Sequence, residues 1–219
     1  MITLEDVKNN DDVKELITGA QRQLDVLGYT EHSTRHVNIV SGRAGKILEM
    51  LEYDEERIEL AKIAGYLHDI GNCINRQDHA HTGAILAYNI LKDLGMSPRD
   101  RMDIMMAIGN HDEETGTAVS DISAALILAD KSDVHRDRVV NKNLSKFDIH
   151  DRVNYAVTEA NLQIDNTDKK VILELTIDTK ICPVLDYFKI FMDRTIMSKY
   201  AAKYLKIWFE LIINDTKLL

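Results

Sequence analysis

Cysteine and proline are scarce in this chain of 219 residues, with two of each. Cys73 and Cys182 are far apart and form no CxxC pattern, which excludes a secreted disulfide framework and points to a reducing compartment. Pro98 and Pro183 leave long stretches uninterrupted, and most of these carry helical spacing. Positive charge is short too: 27 Lys and Arg face 36 Asp and Glu, for a formal charge of −9. That balance lacks the basic surface a nucleic-acid backbone requires, so nucleic acid is excluded as a main partner. No uncharged apolar run approaches the ~18 residues of a membrane helix, so no membrane partner is expected. Met1 to Asp6 shows neither a basic nor an apolar leader region, which predicts no signal peptide and a cytoplasmic location. What remains is 45% hydrophobic and 29% charged, the composition of a folded domain with a substantial core.

The periodicity predicts a mainly α-helical fold. One helix covers Asp11 to Leu27 and stops at Gly28. His32, Ser33 and Thr34 offer capping side chains for a second that runs to about Leu51, with His36, Val40, Ala44, Ile47, Leu48 and Leu51 inward. Asp54 or Glu55 opens a third, which ends in His68-Asp69. After a loop from Gly71 to Asp78, a helix starting near His81 turns Ile85, Tyr88, Leu91 and Leu94 inward and stops at Gly95. Ser97-Pro98 begins the next, in which Met102, Met105 and Ile108 lead to His111. Beyond Gly116, a helix carries Ile122, Ala125, Leu126 and Ala129 inward, with Asp130 on the same stripe.

Past Asp137 the pattern changes. Asn154 to Asp165 and Lys170 to Asp178 alternate around Asn166-Thr167-Asp168-Lys169, predicting a β-hairpin. Pro183 then opens a long terminal helix containing Tyr187, Phe191, Tyr204, Leu205, Trp208, Phe209 and Ile212. The expected division is a helical metal-binding domain over 1–140 and a hairpin-plus-helix extension over 141–219, suited to covering the site or to forming a homodimer.

The chemistry concentrates in Ala64-Gly65-Tyr66-Leu67-His68-Asp69-Ile70-Gly71-Asn72. An imidazole and a carboxylate leaving an apolar face are costly to desolvate unless paired or metal-bound. Alone, the dipeptide reads as a helix-end histidine bonded to its neighbour. Yet His36, His111 and Asp130 also sit on inward positions, and His81 adds a further imidazole. Such a mixed nitrogen and oxygen set suits first-row divalent metals. His79, two residues from His81, is the local rival for that place. His32, His135 and His150 read as ordinary histidines, Cys73 as a small buried hydrophobe, and Met102, Met105 and Met106 as core filling. Ser41 to Lys46 lacks the glycine spacing of a phosphate loop and lies inside a helical pattern.

His36, His68-Asp69 and Asp130 resemble the H…HD…D signature of the HD-domain metal-dependent phosphohydrolases. His68-Asp69-Ile70-Gly71 matches that family's HD-I-G segment. His81-Thr82-Gly83-Ala84 resembles the H-x-G-A segment of its dinuclear branch, and Asn110-His111-Asp112-Glu113 and Ala129-Asp130-Lys131 resemble that branch's later segments. The arrangement is similar to bacterial HD hydrolases of the type acting on diadenosine tetraphosphate, over roughly Thr34 to Arg138.

The resemblance implies a helical HD-domain bundle with two divalent metal ions, Fe or Mn first and Co, Ni, Zn or Mg as alternatives. His36, His68, Asp69 and Asp130 would hold one ion, Asp69 would bridge, and His81 and His111 would hold the other. A hydroxide between the ions would attack phosphorus in a small phosphorylated substrate, a nucleotide or dinucleoside polyphosphate. Asp69 and Lys131 would act in catalysis, and Arg136 and Arg138 would neutralise substrate phosphates. The family commonly has Lys or Arg where this chain has Asn72, a departure that removes a cation near the site. Two competing readings are an HD-type mixed-valence di-iron oxygenase and a non-catalytic, metal-containing sensor domain.

Overall fold

A computed structural model describes residues 2–29, 33–140 and 147–219. His32 lies outside them.

The N-terminal half is a set of capped helices. A short α1, Leu4–Asn9, opens with a capping box between Thr3 and Asp6, an element the periodicity does not anticipate. In α2, Asp11–Leu27, Asn10 caps the start, and Gly28 ends the helix at φ 79°, a left-handed turn that favours glycine. Ser33 caps α3 (Thr34–Met50) and Asp54 caps α4 (Glu55–Leu67). A 3₁₀ turn over Ile70–Cys73 follows, then α5 (His79–Asp93), α6 (Pro98–Gly109, capped by Ser97) and α7 (Asp121–Lys131, capped by Ser120).

Helix α7 is the centre of the core. Every residue from Ile122 to Lys131 is buried, and the helix packs against α3, α4 and α6. The α3–α4 crossing is close because Gly65 has no side chain: a Cβ there would stand 2.8 Å from Ser41 Cα and 2.9 Å from Ser41 N. That close approach brings the His36 turn of α3 beside the end of α4.

Two helices present faces other than those the periodicity predicts. In α5 the buried stripe is His79, Ala80, Gly83, Ala84, Ala87 and Leu91, whereas Ile85 is 60% exposed. In α6 it is Arg101, Ile104, Ala107 and Ile108, with Met102 and Met106 exposed. Small residues explain α5: Gly83 and Ala84 let the helix press on the 3₁₀ turn and on α6, where a Cβ at Gly83 would stand 3.1 Å from Gly71 N.

The C-terminal third begins with α8, Ile149–Ala156, and continues into β1, Val157–Asp165. β1 pairs antiparallel with β2, Lys170–Ile177, forming the expected hairpin. The terminal helix α9 spans Val184–Tyr204 only. Trp208–Ile213 is not its last turns but a strand, β3, which lies parallel to β2 and turns back into β4, Thr216–Lys217. Phe209, Leu211 and Ile213 alternate inward there, the period-2 pattern of a half-buried strand. The four strands lie in the order β1-β2-β3-β4. Helix α9 is the crossover between two parallel strands, and it packs on α7. Arg43 of α3 ties the two parts together, donating to Ser132 Oγ at 2.9 Å and to the Ala160 carbonyl at 3.2 Å.

Candidate metal centre

Five helix ends converge on one buried point. His36 comes from the first turn of α3, His68-Asp69 from the end of α4, His79 from the start of α5, and His111 from just beyond α6. Asp130 lies one residue from the end of α7. His36, His68, Asp69, His79, His111 and Asp130 are all buried. The imidazoles form a chain of rings with centroids 5.1 Å apart for His36–His68, 5.0 Å for His68–His111 and 5.1 Å for His79–His111.

The donor atoms are gathered as tightly as the rings. His36 Nε2 lies 3.3 Å from His68 Nε2, 3.5 Å from Asp69 Oδ2 and 3.4 Å from Asp130 Oδ1. His68 Nε2 lies 3.3 Å from Asp69 Oδ2 and 3.7 Å from Asp130 Oδ1. Ligands ~2.1 Å from one ion stand roughly 3.0 Å apart at octahedral angles and roughly 3.4 Å at tetrahedral ones. This half of the site fits a divalent ion with little adjustment. On the other side, Asp69 Oδ1 lies 3.5 Å from His79 Nε2 and 3.9 Å from His111 Nε2, a second and looser group sharing the same carboxylate.

Each imidazole is also turned the same way. His68 Nδ1 is 2.9 Å from the Gly65 carbonyl, His111 Nδ1 is 2.6 Å from that of Ile108, and His79 Nδ1 is 3.1 Å from that of Arg76. His36 Nδ1 is 2.7 Å from Asp133 Oδ2. A carbonyl or carboxylate accepts here, so these Nδ1 atoms carry the hydrogen and turn Nε2 inward as the metal-facing nitrogen.

The charges agree with that reading. Burial disfavours the His68 cation, but Asp69 and Asp130 outweigh it and push its pKa up to about 10. Burial, with His68 and Lys131 nearby, holds His111 well below its ordinary value, and burial also lowers His79. Burial raises Asp130, yet Lys131, His36 and His68 more than reverse it and hold its carboxyl well below the usual range. Asp69 and Asp130 thus favour positive charge at the His68 position, which is what a bound metal ion would supply.

His81 is not part of this centre. Its side chain is 54% exposed, and Nδ1 lies 3.6 Å from Asp78 Oδ1 on the surface. The physical reason is the rotation of α5 already noted: His81 shares the outer face with Ile85, while His79 shares the inner one with Gly83. Lys131 is also placed differently from the expectation. Its ammonium is buried between Asp130 Oδ2 (2.7 Å) and Glu113 Oε2 (2.6 Å), so it holds the Asp130 carboxylate and does not line the cleft. Arg136 stacks on Tyr155, 5.2 Å from the ring centroid, outside the cleft wall. Arg138 does line the cleft, anchored by Nη1 on the Asp133 carbonyl at 2.7 Å. Cys73 is half-buried, and His135 bonds the Thr158 carbonyl at 3.0 Å. His150 is exposed at the cleft edge.

Asp133 and Arg194 escape the sequence reading. Asp133 holds His36 and also pairs with Arg35 at 3.2 Å; its distance of three residues from Asp130 is the one signal that could have found it. Arg194, on α9, bonds Glu113 Oε1 at 2.9 Å. Asn72 is likewise explained. Its Nδ2 donates to Asp69 Oδ1 at 2.9 Å, and its Oδ1 accepts from Arg76 Nη1 at 3.3 Å. A cation stands nearby instead, four residues on in the loop before α5: Arg76 Nη1 is 3.2 Å from His79 Nε2.

The centre opens onto a cleft of about 930 Å³, walled by Tyr29, Arg76, His79, Asp112, Arg138 and Arg194 among others. An HD domain model matches residues 29–155, which hold all six converging residues and more than half of the chain. The chain belongs to the HD domain family. The match begins before α3 and ends within α8, so the sheet and α9 lie beyond it. The uncharacterized protein MJ1020 of Methanocaldococcus jannaschii is 28% identical over 134 residues, 51% of each chain, so this chain spans about half the length of that curated relative. A crystal structure of a predicted HD superfamily hydrolase from an uncultured Thermotogales bacterium is similar at 25% identity and a TM-score of 0.45, covering 57% of this chain and 67% of that one. No helix among the described residues is long and apolar enough to cross a membrane.

Proposed function

We propose that this HD domain is a metal-dependent phosphohydrolase acting on a phosphate ester or anhydride of nucleotide type. The observation that carries the proposal is the convergence of four Nε2 atoms and two carboxylates, with every Nδ1 tied to an acceptor. His36, His68, Asp69 and Asp130 would hold one divalent ion, and Asp69, His79 and His111 a second. Ions so held would polarise a phosphoryl group and lower the pKa of water. Iron and manganese suit the mixed nitrogen and oxygen donors.

The protein's own groups take defined parts. Asp133 and the three backbone carbonyls orient the imidazoles. Lys131, itself paired with Glu113, holds Asp130 in its rotamer and keeps it ionised. Asn72 fixes the plane of Asp69. Arg76 and Arg138 put guanidinium groups at the cleft wall, where a bound phosphate would meet them. The two thiols, unpaired among the described residues, suit a reducing cytoplasmic compartment.

The test is a screen of phosphate monoesters, nucleotides and dinucleoside polyphosphates with protein loaded in turn with Mn, Fe, Co and Ni. Phosphate release that disappears in Asp69→Ala and His68→Ala supports the reading. Metal bound at the site, no phosphate release with any compound, and oxygen-dependent turnover of an organic substrate would replace it with an oxygenase.

A further inference from the structure

Helix α9 lies outside the matched HD domain, yet it reaches the cleft. The helix breaks at Phe191, whose φ of −116° and ψ of 15° are not helical, and Thr195 Oγ1 takes up the Phe191 carbonyl at 2.9 Å. Phe191, at the kink, and Arg194, three residues beyond it, both line the cleft, together with His79 and Arg138.

Arg194 is held there on two sides. Its guanidinium lies over the Phe191 ring, 4.9 Å from the centroid, and its Nε donates to Glu113 Oε1 at 2.9 Å. Glu113 in turn meets Lys131 at 2.6 Å, and Lys131 meets Asp130 at 2.7 Å. An unbroken chain of ion pairs thus runs from a metal-competent carboxylate to the extension. The side chain stays 19% accessible, and that part opens onto the cleft it lines. A guanidinium fixed in plane, with Nε committed and terminal donors left over, is the arrangement that captures an oxyanion. Asp148 and Asp151 on the cleft wall are carboxylates that repel such an anion from their own side.

We infer that Arg194 is a specificity-determining residue that binds a second anionic group of the substrate, beside the phosphoryl group at the metal centre. The substrate class is accordingly a di- or polyphosphate, or a phosphate ester with another anion close to the scissile bond. Residues 184–204 are then part of the active site. This inference rests on the phosphohydrolase reading for its catalytic consequence, but not for its binding consequence.

Two measurements on the metal-loaded full chain separate the cases. In the first, inorganic tripolyphosphate binding is titrated by calorimetry to wild type, Arg194→Lys and Arg194→Gln. Loss of one charge-assisted contact predicts about tenfold weaker binding in Arg194→Gln, partial recovery in Arg194→Lys and unchanged metal content in both. Equal binding in all three proteins, no binding in wild type, or loss of metal in Arg194→Gln overturns the inference. In the second, KM is compared for p-nitrophenyl phosphate and a nucleoside triphosphate. A penalty about ten times larger on the triphosphate supports the assignment, and equal penalties overturn it. If tripolyphosphate binds through Arg194 while neither compound is hydrolysed, the anion site stands and the phosphohydrolase reading falls.

Discussion

Nδ1 of His36 lies 2.7 Å from Oδ2 of Asp133, whose carboxylate also receives Arg35 and faces Arg138 at 3.9 Å. The pair fixes the tautomer of an imidazole at the tight end of the centre. Burial pushes the Asp133 carboxyl up, but the bond from His36 and the charges of Arg138 and Arg35 hold it far below the ordinary carboxylate range. Replacing the carboxylate by an amide keeps the shape and removes the charge. Asp133→Asn is expected to weaken the first metal by about 10–100-fold, read by competition with a chromophoric chelator.

His79 and His81 make the sharpest contrast in the chain. His79→Ala is expected to lower metal content toward one ion per chain and to remove most activity. His81→Ala, at a surface position 3.6 Å from Asp78, is expected to change either by less than about twofold and stability by at most about 0.5 kcal/mol. Elemental analysis of the two purified variants decides between them.

The part of the site legible in the sequence is the metal-competent residues placed by strong helix patterns. His36 and Asp130 sit on stripes of large aliphatic residues, and the structure keeps both stripes. The pattern failed for α5 because its buried face is made of Ala80, Gly83, Ala84 and Ala87, whose weak hydrophobic signal loses to Ile85 and Tyr88. That one rotation moves both Ile85 and His81 outward. Trp208 to Ile213 satisfies helical and strand spacing at once, and only its parallel pairing with β2, more than thirty residues back, decides for the strand. Asp133 reaches His36 and Arg194 reaches Glu113 across long sequence distances, which no local period records.

Glycine positions give a packing test. A Cβ on Gly65 would meet the backbone of Ser41 at 2.8–3.0 Å, counting the Val40 carbonyl carbon, and backbone cannot swing aside as a side chain can. Gly65→Ala is therefore expected to separate α3 from α4, costing about 1–3 kcal/mol and loosening the His36–His68 approach. Thermal melting of the metal-free protein, with metal affinity measured alongside, tests both effects.

Glu113 supplies a pH dependence. Burial pushes its carboxyl up, but Lys131 and Arg194 overcome this and hold it well below the ordinary value of 4.5. A carboxylate lowered on folding stabilises fully above its unfolded pKa, and that stability is lost as the pH falls below it. Metal-free Glu113→Gln is thus expected to melt below wild type at pH 7, with the gap closing as the pH drops from roughly 5 toward 2. A gap independent of pH contradicts the assignment.

Arg76 sits where the second ion's surroundings would be, 3.2 Å from His79 Nε2. Arg76→Ala removes a cation that competes for the same lone pair. The second metal is expected to bind more tightly in the variant while the first is unchanged, as two-step calorimetric titration resolves.

Anomalous diffraction from crystals grown with manganese or iron tests the two-metal centre most directly. The account predicts one peak among His36, His68, Asp69 and Asp130, and a second among Asp69, His79 and His111, with His81 bound to neither. A metal coordinated by His81, or no peak at the His36–His68 group in crystals saturated with either metal, contradicts it.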